Sequence, residues 1–171
     1  MQDAELLVAL AGIAGVFVGF GALISTTRGG VSEGFELVYI RGIMSWGLVV
    51  IVAALVPVVT SRYGIAGHEL WLLSSLVFLL LVCFMTVVSS RTSEHNALLA
   101  AQWRASRMRF ARFAVPPLLL EVSLLIALVL VVLGPVTDFE PALYITAVVL
   151  LLFEDVLYLA QLVYSQGPPT A

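Results

Sequence analysis

Five long runs of apolar residues, separated by short polar stretches, cover most of the chain. A helix needs about 20 apolar residues to cross the hydrocarbon core of a bilayer, where every backbone N–H and C=O must be bonded within the segment. The pattern therefore predicts five membrane-spanning helices. They cover about residues 5–25, 43–60, 69–90, 115–133 and 142–164. Turn-forming residues separate the spans, and Pro116-Pro117 is expected in the first turn of the fourth helix, where a missing N–H costs little.

Composition supports a membrane location for the whole chain. Of the 171 residues, 61% are hydrophobic and 11% charged, and the mean hydropathy is +1.11. Soluble domains are about 45–50% apolar and about 25% charged. We predict an all-α integral membrane protein with one transmembrane domain over residues 1–165 and a disordered tail at 166–171. Four spans are the alternative, because the fifth run contains two acids.

The arginines divide unequally between the two sides that five spans create. One side holds only Arg62 of the eight arginines, with several acids. Cytoplasmic loops are enriched in Lys and Arg, so the N-terminus is expected outside and the C-terminus in the cytoplasm of a multi-pass cell-membrane protein. The other seven arginines are Arg28, Arg41, Arg91, Arg104, Arg107, Arg109 and Arg112.

The connection between spans three and four is basic and amphipathic. At 100° per residue, aromatic and apolar side chains that include Trp103 gather on one face of a helix over about residues 93–113. Such a helix is expected to lie in the cytoplasmic interface and to bind anionic lipid headgroups. Because neither Gly nor Pro occurs between His68 and Val115, span three continuing as one long helix is the alternative. The membrane context argues against nucleic-acid binding. The expected headgroup contacts are Trp103, Arg104, Arg107, Arg109 and Arg112.

Small residues recur every four positions in the first span, at Ala11, Gly15 and Gly19. This spacing forms a groove in which another helix backbone can approach closely. We expect the groove to pack a neighbouring helix of the same chain, with self-association into a homo-oligomer as the alternative.

The fifth span contains Glu154 and Asp155 near its centre. Each acid costs about 2.5–3.5 kcal/mol at that depth, so the helix should turn them away from lipid. Tyr158 and Gln161 lie within about 40° of Glu154 and extend a polar stripe. Three arrangements fit: both acids carry protons, they line an aqueous cavity, or the stripes of several subunits meet at one axis.

Glu121, in the fourth span, is expected to form a structural ion pair with Arg41 or Arg112. No conjunction of nucleophile, general base and metal ligands appears, so the sequence predicts no catalytic residue, metal site, cofactor or enzymatic activity. The two histidines lie on opposite sides of the membrane in this topology and cannot share a metal.

Two functions fit these observations. The first is an oligomeric proton or cation pathway that uses the intramembrane carboxylates, because protonatable acids at depth relay protons and rings of carboxylates select cations. The alternative is a non-conducting assembly or regulatory protein, which binds lipid or a membrane protein partner through its basic segment.

Overall fold

The chain folds as a bundle of long helices. The computed structural model describes residues 2–27, 34–91, 107–134 and 137–164. Each of the five long helices in these ranges is apolar enough to cross a membrane, so the predicted all-α bundle of five spans is confirmed. The helices are α1 (Gln2–Thr27), α2 (Gly34–Ser61), α3 (His68–Arg91), α4 (Arg107–Leu133) and α5 (Glu140–Tyr164), with a 3-10 turn at Thr137–Phe139 before α5.

The fourth helix starts earlier than its apolar run. It begins at Arg107, so Pro116 and Pro117 lie inside it rather than in its first turn. Each proline removes the N–H that would bond the carbonyl four residues earlier. The two carbonyls released lie before Val115, where the apolar span begins, so water can bond them. Residues 107–113 are thus the first turns of α4 instead of the end of a separate interfacial helix, while residues 92–106 lie outside the described ranges.

Among the described helices, α5 packs against the largest number of other helices. Helix α5 packs against α1, α2, α3 and α4, whereas α2 packs against α1, α3 and α5. Helices that are consecutive in the chain run in opposite directions, so α1, α3 and α5 finish at the same end of the bundle. Arg41 and Arg91 lie near this end, which we call the arginine-rich end.

At the opposite end, the starts of α3 and α5 are joined by a histidine and a carboxylate. His68 Nδ1 lies 2.5 Å from Glu140 Oε1, and the Glu140 side chain is buried. The connections that bring these helix starts together contain glycines with positive φ, namely Gly64, Gly67 and Gly134. Glycine adopts this backbone conformation without a steric penalty.

A proline in α2 explains a buried hydrogen bond between α2 and α5. Pro57 has no N–H to bond the carbonyl of Ala53, which lies four residues earlier. The Tyr144 hydroxyl donates to that carbonyl at 2.6 Å. The Tyr144 ring is fully buried, with its centroid 5.5 Å from that of Trp71 and 5.8 Å from that of Phe78. Helix α5 therefore satisfies the backbone group that the proline leaves open.

We expect Tyr144→Phe to lower the free energy of unfolding by about 1–3 kcal/mol, because it strands a buried carbonyl. Pro57→Ala supplies the missing N–H, so the same tyrosine change should cost much less in that background. Unfolding measured in detergent for the wild type, both single variants and the double variant gives the interaction energy. Equal costs of Tyr144→Phe in the two backgrounds would contradict this account.

A candidate site at a buried carboxyl pair in the fifth helix

Glu154 and Asp155 lie in the middle of α5, about 21 and 22 Å along its axis from Glu140 at 1.5 Å per residue. Their exposed fractions are 2% and 0%. Adjacent residues point about 100° apart on a helix. Both are buried because α5 has neighbours on several sides, and this places Asp155 in the protein interior rather than on the flank of the stripe. The predicted orientation away from lipid agrees with these burials.

The Asp155 carboxyl lies where α1, α2 and α5 meet. A Cβ atom built on Gly47 would stand 3.3 Å from Asp155 Oδ2 and 3.6 Å from the Ala14 carbonyl oxygen. The absence of a side chain at Gly47 therefore provides the space that the carboxyl occupies. Neither oxygen of Asp155 has a hydrogen-bond partner within the described parts of the chain. Buried carboxyls are normally hydrogen-bonded, so this group calls for an explanation beyond packing.

Glu154 points to a different set of neighbours. Its side chain is a hydrogen-bond partner of Tyr158, one turn further along α5, and it interacts electrostatically with Glu121 of α4. Glu154 Oε2 is buried and has no hydrogen-bond partner among the described residues. The two acids thus point in different directions from α5, with Asp155 towards α1 and α2 and Glu154 towards Tyr158 on its own helix.

The predicted companions of the pair extend towards the arginine-rich end. Tyr158 is half-buried, with its ring against Gly42 of α2 and its centroid 6.4 Å from that of Tyr39. Gln161 is half-buried one turn beyond Tyr158. Of the polar stripe predicted from the helical wheel, Tyr158 therefore lies against α2.

The Glu121 carboxylate accepts a hydrogen bond from a residue that the sequence did not suggest. Thr86 Oγ1 of α3 donates to Glu121 Oε1 at 2.7 Å. Thr86 is therefore a hydrogen-bond partner of this carboxylate, and the ion pair of Glu121 with Arg41 or Arg112 stays a prediction. Thr86 is exposed and Glu121 is half-buried, so the pair lies at the edge of the seam between α3 and α4.

On the side of the carboxyl pair away from the arginine-rich end, apolar side chains fill the interior of the bundle. These side chains are almost fully buried and come from three helices. We call them the apolar plug. It consists of Phe78, Val82, Leu124, Leu128 and Leu151.

The described residues contain no group of three His, Cys, Asp or Glu side chains that could hold a metal ion. Two carboxyls surrounded by apolar side chains and one phenol can take up or release a proton. Proton binding is therefore the chemistry that this arrangement supports directly.

Sequence reasoning did not indicate several buried polar or small residues of the bundle. Ser74 and Ser75 are fully buried in α3, with no hydrogen-bond partner among the described residues, on the face that packs against Tyr144. Glu121 was predicted from the sequence but Thr86 was not, and no role was predicted for Gly47. Polar or small residues inside an apolar span are the only signal that could have indicated them, and many such residues merely pack.

Part of the small-residue groove of α1 has no neighbour among the described residues. Ala11 packs against the core, but a Cβ atom on Gly15 or Gly19 would meet no described atom within 4 Å. Helix α1 approaches α2 instead through Ala14 and Gly21. The described contacts therefore do not include the packing within the chain that we expected at Gly15 and Gly19.

The predicted headgroup contacts lie outside the described side chains. Trp103 and Arg104 fall in the undescribed range, and of Arg107, Arg109 and Arg112 only the helical backbone is described.

No protein-family model, curated protein or solved structure matches the chain.

Proposed function

We propose that the protein conducts protons across the membrane, with Glu154 and Asp155 as the groups that bind and release them. The observation that carries this proposal is Asp155, which is fully buried at mid-helix with both carboxyl oxygens unpartnered among the described residues. An ionised carboxylate in such a place is costly, whereas a proton-carrying carboxyl is neutral. A purely structural acid would be expected to have a partner.

Two features support the proposed route. The first favours protons over metal cations, and the second favours a route within each chain over one at a shared axis. The walls around Asp155 are the Gly47 backbone region and apolar side chains, and the described residues offer no third His, Cys, Asp or Glu ligand. The burial of both acids inside one bundle supports a site in each subunit rather than a ring of carboxylates at a shared axis.

A non-conducting assembly protein is the second candidate function. The groove at Gly15 and Gly19 favours it, because small residues with no neighbour among the described residues allow another transmembrane helix to approach closely. Under this proposal the partner is a second copy or another membrane protein, and the acids are incidental.

Proton flux into liposomes separates the two functions. We expect the purified protein to acidify vesicles under a potassium diffusion potential, and Glu154→Gln and Asp155→Asn each to reduce the flux to the level of empty vesicles. Each change removes a protonatable group while keeping the shape of the side chain. An internal pH-sensitive dye reports the rate.

Phe153→Leu is the matched control, because Phe153 lies on the exposed face of α5 beside the two acids. We expect this variant to conduct like the wild type. A wild type without flux, or acid variants that conduct normally, would refute the proton pathway and favour the assembly protein.

A further inference from the structure

We propose that His68 and Glu140 form a pH-sensitive clamp, which holds the starts of α3 and α5 together in acid and releases them as the pH rises. The clamp lies at the end of the bundle opposite the arginine-rich end, and we call this the histidine end. The proposal goes beyond the proposed proton function and does not require it, because it concerns the position of α5 and not the groups that bind protons inside the bundle.

The two partners of the clamp differ in their contact with solvent. His68 is the first residue of α3, and 45% of its side chain is exposed, whereas 3% of the Glu140 side chain is exposed. His68 Nδ1 lies 2.5 Å from Glu140 Oε1. The ring can therefore exchange a proton with solvent at the histidine end, while the buried carboxyl has its described hydrogen bond with that ring.

His68 has the chemistry of a switch near neutral pH. Histidine gains or loses its charge between about pH 5 and about pH 8, and His68 is the one histidine in the described part of the chain. The other described titratable groups near this end are exposed and come from α1, the end of α2, α3 and the turn before α5, and the last two turns of α4 add none. They are Asp3, Glu5, Arg62, Tyr63, Glu69 and Asp138.

Protonation of the ring decides how strongly the clamp is held. A charged imidazolium and a carboxylate attract each other as opposite charges, and this attraction is larger where one partner is buried. When the ring loses its charge, the Glu140 carboxylate is left shielded from water beside a neutral donor, which is costly. Opening the clamp then returns the carboxylate to solvent. Acid therefore favours the closed state and alkali the open one.

Glycines lie at the backbone positions that must adjust when the clamp opens. Gly67 immediately precedes His68 and has a φ of 65°, and Gly134, with a φ of 70°, lies between α4 and α5. A Cβ atom on Gly134 would stand 3.7 Å from His68 Cε1, so the histidine ring lies close to this backbone. Loop residues that absorb changes in φ and ψ act as hinges, and glycine does so with the least steric restriction.

The first turns of α3 and α5 connect the clamp to the rest of the bundle. One turn into each helix, the centroid of the Tyr144 ring lies 5.5 Å from that of Trp71. Helix α5 contains neither glycine nor proline after Pro141, so it has no position at which helices usually kink. A displacement of its start therefore moves the helix as one body. The clamp thus connects the pH at the histidine end to the position of the carboxyl pair.

Distances between two spin labels, measured on the full chain in lipid vesicles, test the clamp. Leu73→Cys in α3 and Thr146→Cys in α5 provide exposed, uncharged labelling positions, and Cys83→Ala removes the natural thiol. We expect one distance at about pH 5.5 and a second, longer distance at about pH 8. The fraction of the longer distance should rise about fivefold, the effect of removing one charge from a half-exposed ion pair.

His68→Gln and His95→Gln are the matched controls. The first keeps a hydrogen-bond donor for Glu140 but takes no charge, so we expect the same distances at both pH values. The second removes the other histidine of the chain and should respond like the wild type.

Unchanged distances in the wild type between the two pH values overturn the clamp. A pH response that persists in His68→Gln or in Glu140→Gln overturns it as well, and a response that is lost in His95→Gln assigns the switch to that histidine instead. None of these outcomes depends on whether the protein conducts protons, so the clamp and the proton pathway are tested separately.

Discussion

Asp155→Leu is expected to raise the free energy of unfolding by about 2–4 kcal/mol and to abolish proton flux. Leucine has the same branching as aspartate, and the carboxyl that it replaces has no hydrogen-bond partner to lose among the described residues. The substitution therefore removes the cost of an acid at mid-membrane without breaking a described contact. Stability would be measured by denaturant titration in detergent micelles, and flux in vesicles of the same preparation.

Glu140→Leu provides the contrast for this prediction. Glu140 is as buried as Glu154, but it is paired with His68 and stands in the first turn of α5, where a carboxylate is favourable. We expect this variant to be less stable than the wild type. A loss of stability in Asp155→Leu as well would mean that Asp155 has a structural role, and the proton proposal would lose its main support.

Gly47→Ala and Gly15→Ala are expected to have opposite effects. A Cβ atom on Gly47 would stand 2.6 Å from Val18 Cγ2, too close for any real contact, so Val18 must leave its rotamer or α1 and α2 must move apart. Such overpacking costs about 1–3 kcal/mol, and we expect proton flux to fall too because the Asp155 carboxyl is displaced. The same methyl group on Gly15 meets open space, so the better helix propensity of alanine should leave stability equal or up to about 1 kcal/mol higher.

The comparison needs unfolding measurements on both variants and dye-based flux on Gly47→Ala. Equal stabilities for the two variants would indicate that the approach of α1 to Gly47 is looser than described. A reduced stability of Gly15→Ala alone would indicate that another helix occupies the groove of α1 in the assembled protein.

The spans were predictable because the bilayer imposes one length and one composition on every helix that crosses it. The residues at which the helices begin and end were less predictable. Helix α4 passes through Pro116 and Pro117, whereas the sequence rule that favours proline in a first turn placed its start at Val115. The rule failed because carbonyls released near a membrane boundary can be bonded by water, and a helix then tolerates proline.

The two acids of the site were predictable from the sequence, but the residues around them were not. Glu154 and Asp155 were evident because few side chains are as costly in hydrocarbon. Their neighbours come from distant parts of the chain, such as Gly47 beside Asp155. The helical wheel of α5 suggested one buried side, but it could not indicate that four helices would surround α5 and bury two directions at once.

The order of the helices along the chain has a consequence for biosynthesis. Ribosomes synthesise α1 and α2 before α5. The two helices that form the space beside Gly47 therefore enter the membrane before the segment that fills this space is translated. A newly made α5, with two acids at its centre, enters lipid poorly unaided. Its insertion therefore depends on the earlier helices already being assembled, which makes the first two spans a template for the last.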